Sequence, residues 1–348
     1  MKSQKIFEYG APLQEVNEET PTPHGKQILL RVIHCGVCHS DVHVHDGFFR
    51  LDDQDKLDIR ARRNLPFTLG HEVFGEVVAT GPDVNDISVG ERRAVYPWIG
   101  CGDCPTCNRD EEYLCEKSDR VIGLSTNGGY SDHLVVPDAK YLLEVGGINP
   151  GLAATYMCSG LTAFAAIDQV SGTGVKDNVL ILGLGGVGMS GLQIARAILD
   201  ANLFAADIDD TKLSIASNMG IETFNSSKNT CIRDIQRRTN GVTAVVDFVG
   251  SQDTAALALK VIRRGGEYII VGLYGGAIKL PLATVALRAS SIKGVLTGSI
   301  KDAREVISLA RDGKLSPIPI TERPLTDATN ALEDLKKGTV TGRVILSP

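Results

Sequence analysis

The sequence predicts an α/β protein in two parts, one strand-rich and one built on a doubly wound parallel sheet. Three observations carry this. Strand and turn signals dominate up to about Pro150, and the pattern then turns helical. A complete strand–glycine turn–helix–strand run follows at Asn178–Asp209. With 348 residues the chain has room for one large domain or two ordinary ones.

In chain order, Gln27–Cys35 (QILLRVIHC) is a β-type run. His71–Gly81 (HEVFGEVVATG) is a second, closed by glycine and Pro82. Between them Arg50–Asn64 (RLDDQDKLDIRARRN) is dense in both charges and poor in large apolar residues, which predicts a solvated loop or a short surface helix. Ala153–Ile167 is small and apolar without strand alternation and reads as helix. After the βαβ unit come strand-like pieces at Ala244–Gly250 (AVVDFVG) and Glu267–Leu273 (EYIIVGL). A helix candidate follows at Asp302–Gly313, and the chain ends in GRVILSP.

The composition, 43% apolar and 22% charged, is that of a soluble globular chain. A formal net charge of -6 argues against a general nucleic-acid or membrane-surface binder. The N-terminus, MKSQKIFEYG, has charge but no apolar core of a secretory signal, and no apolar run is expected to span a bilayer. A reducing cytoplasm is the expected setting, where clustered cysteines more often hold metal than pair with each other.

Four of the eight cysteines, Cys101, Cys104, Cys107 and Cys115, fall in one stretch, CGDCPTCNRDEEYLC. On spacing alone a disulfide knot, an iron–sulfur cluster and a metal site are all open. Cys38 (in GVCHSD), His71 (in GHE) and Cys158 (in MCSG) form a second candidate set. If they converge, two thiolates and an imidazole leave one tetrahedral position open, the pattern of a catalytic zinc. Spacing cannot show that convergence, because a lone buried cysteine is more often a small apolar residue.

The glycine turn is Gly183-Leu184-Gly185-Gly186-Val187-Gly188. It follows a strand and opens a helix, the context that makes the pattern a dinucleotide fingerprint of the Rossmann type. Gly183 permits the tight turn, Gly185 lets backbone approach a pyrophosphate, and Gly188 lets helix and strand pack closely. Asp207 ends the next strand, where a carboxylate binds an adenosine ribose and repels a 2′-phosphate, so NAD is expected over NADP. Asp209 and Asp210 could instead cap the following helix.

Together these motifs resemble the zinc-dependent alcohol dehydrogenases of the medium-chain dehydrogenase/reductase family, in pattern the shorter microbial enzymes. The resemblance covers nearly the whole chain. It rests on GVCHSD, GHE, the four-cysteine loop, Cys158–Phe164 (CSGLTAF), the glycine turn and the terminal GRVIL, all in family order. It implies a GroES-like β-rich catalytic domain from residues 1–152 and 297–348, with a Rossmann domain at residues 153–296. It implies a structural zinc on Cys101, Cys104, Cys107 and Cys115, and four thiolates would indeed close the tetrahedron. An iron–sulfur site fits less well, since the ferredoxin run has a shorter last spacing followed by proline.

The resemblance further implies a catalytic zinc on Cys38, His71 and Cys158, with Asp41 and Glu72 behind it. The ion would act as a Lewis acid toward an alcohol whose hydride passes to NAD⁺. Ser40 would accept the alcohol proton and His43 would deliver it to solvent. His39 would lie near the cofactor phosphates, and His45 is given no role. Arg343 would reach the pyrophosphate and Lys212 the adenosine side. Tyr96 and Trp98 are expected near the substrate pocket, which would favour apolar or aryl alcohols, aldehydes and ketones. A homotetramer is expected, with no nucleic-acid or membrane partner. Cys35 and Cys231 are left as ordinary thiols. A zinc-free reductase of the same fold would lack one of the three ligands, and a silent binding protein need not keep both zinc sites and Ser40.

Overall fold

The computed structural model describes every residue except Asp119, Ser171 and Gly172. The chain divides into two compact units. One comprises residues 1–48, 58–161 and 298–348, and the other residues 49–57 and 162–297.

The first unit is built on a seven-stranded sheet. Its path runs Leu142–Leu143, Arg92–Val95, Glu72–Thr80, Ile28–Val37, Arg343–Ser347, Ile320–Pro324, and His133–Val136 also pairs with Ile28–Val37. The chain's last strand therefore lies antiparallel beside one of its first, with Val344, Ile345 and Leu346 opposite Val37, Gly36 and Cys35. A second sheet joins Gln14–Asn17, Lys2–Ile6 and Phe67–Thr68. Burial is near-continuous along the two central strands, with Ile28, Leu30, Val73 and Val77 fully buried in the core.

The second unit is a six-stranded, all-parallel sheet with helices between its strands. The order is Glu222–Asn225, Asn202–Asp207, Asn178–Leu182, Val242–Asp247, Ile262–Ile270, Ser291–Gly294. Numbered within the sheet this is 3-2-1-4-5-6, the doubly wound Rossmann order. Its switch point falls between Asn178–Leu182 and Val242–Asp247. Leu180, Leu182, Phe204, Ile235, Val245 and Tyr268 are among the residues of its core.

The charged segment departs from the expectation. Arg50–Asn64 is neither a plain loop nor a helix: Phe48–Arg50 and Lys56–Asp58 pair as a hairpin, followed by a 3-10 turn at Arg60–Arg62. The Asp52 side chain makes its bend by accepting from the backbone N–H groups of Gln54 and Asp55, at 2.8 and 2.7 Å. The compact units can be set beside the expected domains of residues 1–152 with 297–348 and 153–296. Residues 153–161 group with the first unit, because the helix Pro150–Thr155 packs on the strands Ile28–Val37 and Glu72–Thr80. Residues 49–57 group with the second, where Gly276 N–H donates to Leu51 carbonyl at 3.0 Å. Finally, Pro150–Asp168 is a 19-residue helical run apolar enough to cross a membrane by composition, but 89% of its apolar window is buried inside the protein. Its hydropathy is that of a core helix.

Candidate active site

The strand Ile28–Val37 delivers Cys38 to the start of the helix His39–Asp46, where Cys38 is the N-cap. Asp41 closes this helix start, Oδ2 accepting from Cys38 N–H at 2.9 Å. The cap residue is thus Cys38, not Ser40 or Asp41. Asp41 is fully buried and its other oxygen turns toward the next motif. Oδ1 accepts from Gly70 N–H at 3.3 Å and lies 3.1 Å from His71 Nδ1. The Tyr130 hydroxyl sits 3.5 Å from Oδ2. One carboxylate thereby couples Cys38 to His71.

His71 and Glu72 enter the strand Glu72–Thr80, and Glu72 stands opposite Gly36. A Cβ at Gly36 would lie 2.0 Å from Glu72 Oε2, so only glycine leaves room for the carboxylate there. Glu72 Oε1 accepts from Ser159 N–H at 3.3 Å, and Oε2 is bound by the guanidinium of Arg343. Burial pushes Glu72 up to about 7 against the pull of Arg343.

Cys158 lies in a wide π-helical turn, Tyr156–Gly160, inside the long buried helix. Such turns break the regular side-chain spacing and recur at functional sites. Here it brings Cys158 to the other two ligands. One ligand atom from each of Cys38, His71, Glu72 and Cys158 lies within 4.8 Å of every other, and all four residues are buried. His71 Nε2 is buried with no hydrogen-bond partner among the described residues. A hydrogen bond from Cys158, with His71 beside it, holds the Cys38 thiol well below its ordinary value despite burial. The same bond, together with burial, pushes Cys158 up. Burial opposes a proton on His71, but the Asp41 carboxylate outweighs it and holds the ring above its ordinary value. A buried imidazole nitrogen without a partner, aimed at two thiols, fits a zinc ion.

The second cluster is the lobe Cys101–Cys115. Its four Sγ atoms lie within 4.8 Å of one another. Cys101 and Cys107 Sγ are 3.8 Å apart, and Cys104 and Cys115 Sγ 3.9 Å. These are nonbonded distances, and all eight cysteines are free thiols, so no disulfide knot exists. They match the edge, about 3.8 Å, of a tetrahedron with metal–sulfur bonds of about 2.3 Å. The Thr106 hydroxyl and Cys107 N–H draw Cys104 down to about 6, while the Asp103 carboxylate pushes Cys101 up to about 12.

In the second unit the glycine turn joins the strand Asn178–Leu182 to the helix Gly186–Ile198. Gly183 takes φ +85°, and a Cβ on Gly188 would lie 1.8 Å from the Gly183 carbonyl oxygen. Gly185, by contrast, faces open space, as backbone exposed to a phosphate must. Asp207 ends its strand with Oδ2 accepting from Leu184 N–H at 2.6 Å and Oδ1 from Asp209 N–H at 2.9 Å. The helix cap is Asp209, which accepts from Thr211 N–H at 2.8 Å, so Asp207 is not spent on capping. Lys212 is mostly buried and lies 3.7 Å from Asp209, unlike a freely solvated lysine.

Ser40 and His43 sit three residues apart on the helix His39–Asp46, hence on one face. Burial, then the neighbouring His39, lowers His43 from its ordinary value. His45 Nε2 lies 2.7 Å from the Ala11 carbonyl, a structural tie. Trp98 is edge-on to His71, with ring centroids 6.5 Å apart. Tyr96 is fully buried, and its hydroxyl donates to Gly298 carbonyl at 2.9 Å. Arg343 is committed to Glu72 rather than standing free for a phosphate, although its Nε has no partner among the described residues. Sequence reasoning missed the Arg343–Glu72 pair and Tyr130, whose only sequence signal was an aromatic after Gly128-Gly129.

Two family models match the chain: the alcohol dehydrogenase GroES-like domain over residues 24–147 and the zinc-binding dehydrogenase model over residues 186–312. The NAD-dependent alcohol dehydrogenase of Sulfurisphaera tokodaii is 33% identical over 352 aligned residues, 100% of both chains. An alcohol dehydrogenase of Geobacillus stearothermophilus is 31% identical, covering 99% of this chain and 98% of its own. The crystal structure of the alcohol dehydrogenase of Aeropyrum pernix superposes with a TM-score of 0.90 at 27% identity, over 100% of both chains. The chain belongs to the zinc-type alcohol dehydrogenases of the medium-chain dehydrogenase/reductase family.

Proposed function

We propose that this protein is an NAD-dependent alcohol dehydrogenase with two zinc ions per chain, interconverting an alcohol with its aldehyde or ketone. The observation that carries the reading is the partnerless Nε2 of His71, facing the thiols of Cys38 and Cys158 while Asp41 occupies Nδ1. When bound there, zinc supplies Lewis acidity toward the alcohol oxygen, and NAD⁺ supplies the hydride acceptor. The chain's own residues do the rest. Asp41 fixes the tautomer of His71 by accepting from Nδ1–H. Ser40 takes the alcohol proton at its hydroxyl, and His43, neutral near pH 7 because burial lowers it, receives that proton and returns it to solvent. Arg343 braces Glu72 from behind. Trp98 presents an aromatic wall to the open position at His71, which suits apolar or aryl substrates.

The four-cysteine lobe holds the second, structural zinc, and its free thiols suit a reducing cytoplasm. The residue split amounts to a GroES-like catalytic domain and a Rossmann domain, with boundaries near Leu161 and Gly298. A homotetramer is the assembly we assign. The strand Ser291–Gly294 is an open sheet edge, and Leu282, Leu287 and Leu296 nearby in sequence are 80%, 79% and 62% exposed.

The test is a panel of primary, secondary, polyol and aryl alcohols with NAD⁺ and NADP⁺, run on wild type and Asp207→Ser. Wild type should prefer NAD⁺, and the variant should weaken NAD⁺ and narrow the preference by about tenfold, the worth of roughly one charge-assisted hydrogen bond. A wild type that used NADP⁺ better would contradict the ribose role of Asp207.

A further inference from the structure

The crevice at the end of the parallel sheet has a second acidic residue, on the side away from Asp207. Asp247 ends the strand Val242–Asp247 as the register partner of Leu182, which runs directly into the glycine turn. It thus stands at the topological switch point, where doubly wound sheets bind their ligands. It takes one more donor than Asp207, whose two oxygens accept one N–H each. It is fully buried, and its carboxylate accepts from three donors inside the protein. Oδ1 accepts from Val249 N–H at 2.9 Å and Gly250 N–H at 3.0 Å, and Oδ2 from the Tyr268 hydroxyl at 2.8 Å. Tyr268 is itself buried.

These bonds fold Phe248–Gly250 back against the turn. Phe248 N–H donates to Leu182 carbonyl at 2.8 Å, and a Cβ on Gly183 would lie 2.4 Å from Val249 Cγ2. Val249 is thereby held in contact with the first glycine of the turn, and the Asp247 carboxylate holds it there.

We propose that Asp247 and Tyr268 form a positioning pair for the dinucleotide. They touch no ligand. They fix Val249 and Gly250 as one wall of the crevice, opposite the wall that carries Asp207, and so govern how the pyrophosphate and second ribose seat. The proposal rests on the NAD-binding reading above.

The chemistry dictates the variants. Asp247→Ala strands two backbone N–H groups and the tyrosine hydroxyl. Asp247→Asn can keep all three bonds, its oxygen accepting from the backbone while its amide donates to the tyrosine oxygen. Tyr268→Phe removes one bond and keeps the ring. Binding of NADH and of AMP is measured by fluorescence titration and calorimetry, alongside Tm. We expect Asp247→Ala to raise the Kd for NADH about tenfold or more and Tyr268→Phe about threefold, with Asp247→Asn close to wild type. AMP, which meets the Asp207 wall, should stay within about twofold throughout. If Asp247→Ala does not fold, Tyr268→Phe decides by the same comparison. Unchanged NADH affinity in the variants, or NADH and AMP weakening by the same factor, would overturn the proposal while leaving the cofactor reading intact. A wild type that bound no NADH would overturn both.

Discussion

A histidine can offer a metal only one ring nitrogen at a time, and in this chain Asp41 decides which. It sits 3.1 Å from His71 Nδ1 and 2.9 Å from Cys38 N–H, so a single side chain orients two ligands 33 residues apart in sequence. The same helix carries the proposed proton path, since Ser40 and His43 share a face of His39–Asp46. Ser40→Ala should lower kcat strongly, and Ser40→Thr, which keeps the hydroxyl, should be tolerated. His43→Gln should cost on the order of 10²-fold, the lower end for a general base, with partial rescue by imidazole. His45→Gln should disturb stability rather than rate, because His45 bonds to the Ala11 carbonyl. The pH–rate profiles of alcohol oxidation decide. A larger rate loss in His45→Gln than in His43→Gln would overturn the relay.

At the scale of elements, the C-terminal strand Arg343–Ser347 is tied into the first unit by more than its ladder. His34 Nδ1 lies 2.9 Å from Ser347 Oγ, whose hydroxyl donates to Glu322 at 2.6 Å. Burial lowers His34 below its ordinary value of 6.5, although Glu322 pulls the other way. The unfolded chain therefore binds a proton at a higher pH than the folded one. The stability His34 contributes is full above pH 6.5 and falls as pH drops from there toward the folded value. Thermal unfolding scanned from pH 8 to about pH 5 should show this loss, and His34→Gln should flatten that part of the curve. An equally steep curve in the variant would remove His34 from the account.

What the sequence made legible follows from how local each feature is. The four-cysteine lobe and the glycine turn are contiguous, so residue type and spacing alone announced them. The ligand set Cys38, His71 and Cys158 could be listed but not assembled, because a π-turn and a sheet register bring it together. The setting of Tyr96 was illegible for the same reason. Its hydroxyl partner, the Gly298 carbonyl, lies 202 residues away, and nothing near Tyr96 in sequence signals that it is buried. The charged stretch Arg50–Asn64 hid a hairpin whose partner, the loop at Gly276, lies far along the sequence from Leu51.

For the whole molecule, the two metal clusters are proposed to do different work. With zinc bound as proposed, Cys38, His71 and Cys158 would leave a position open for substrate, while Cys101, Cys104, Cys107 and Cys115 would close on themselves and contribute folding free energy. The direct measurement is zinc per chain by elemental mass spectrometry, on wild type, His71→Ala and Cys104→Ser, beside Tm, NADH binding and alcohol turnover. Wild type should hold two zinc ions. His71→Ala should hold one, remain folded, bind NADH and turn over no alcohol. Cys104→Ser should lose the other ion and melt at a lower temperature. If His71→Ala kept two zinc ions and oxidised alcohols at the wild-type rate, the site at Asp41, His71 and the two cysteines would not be the catalytic centre.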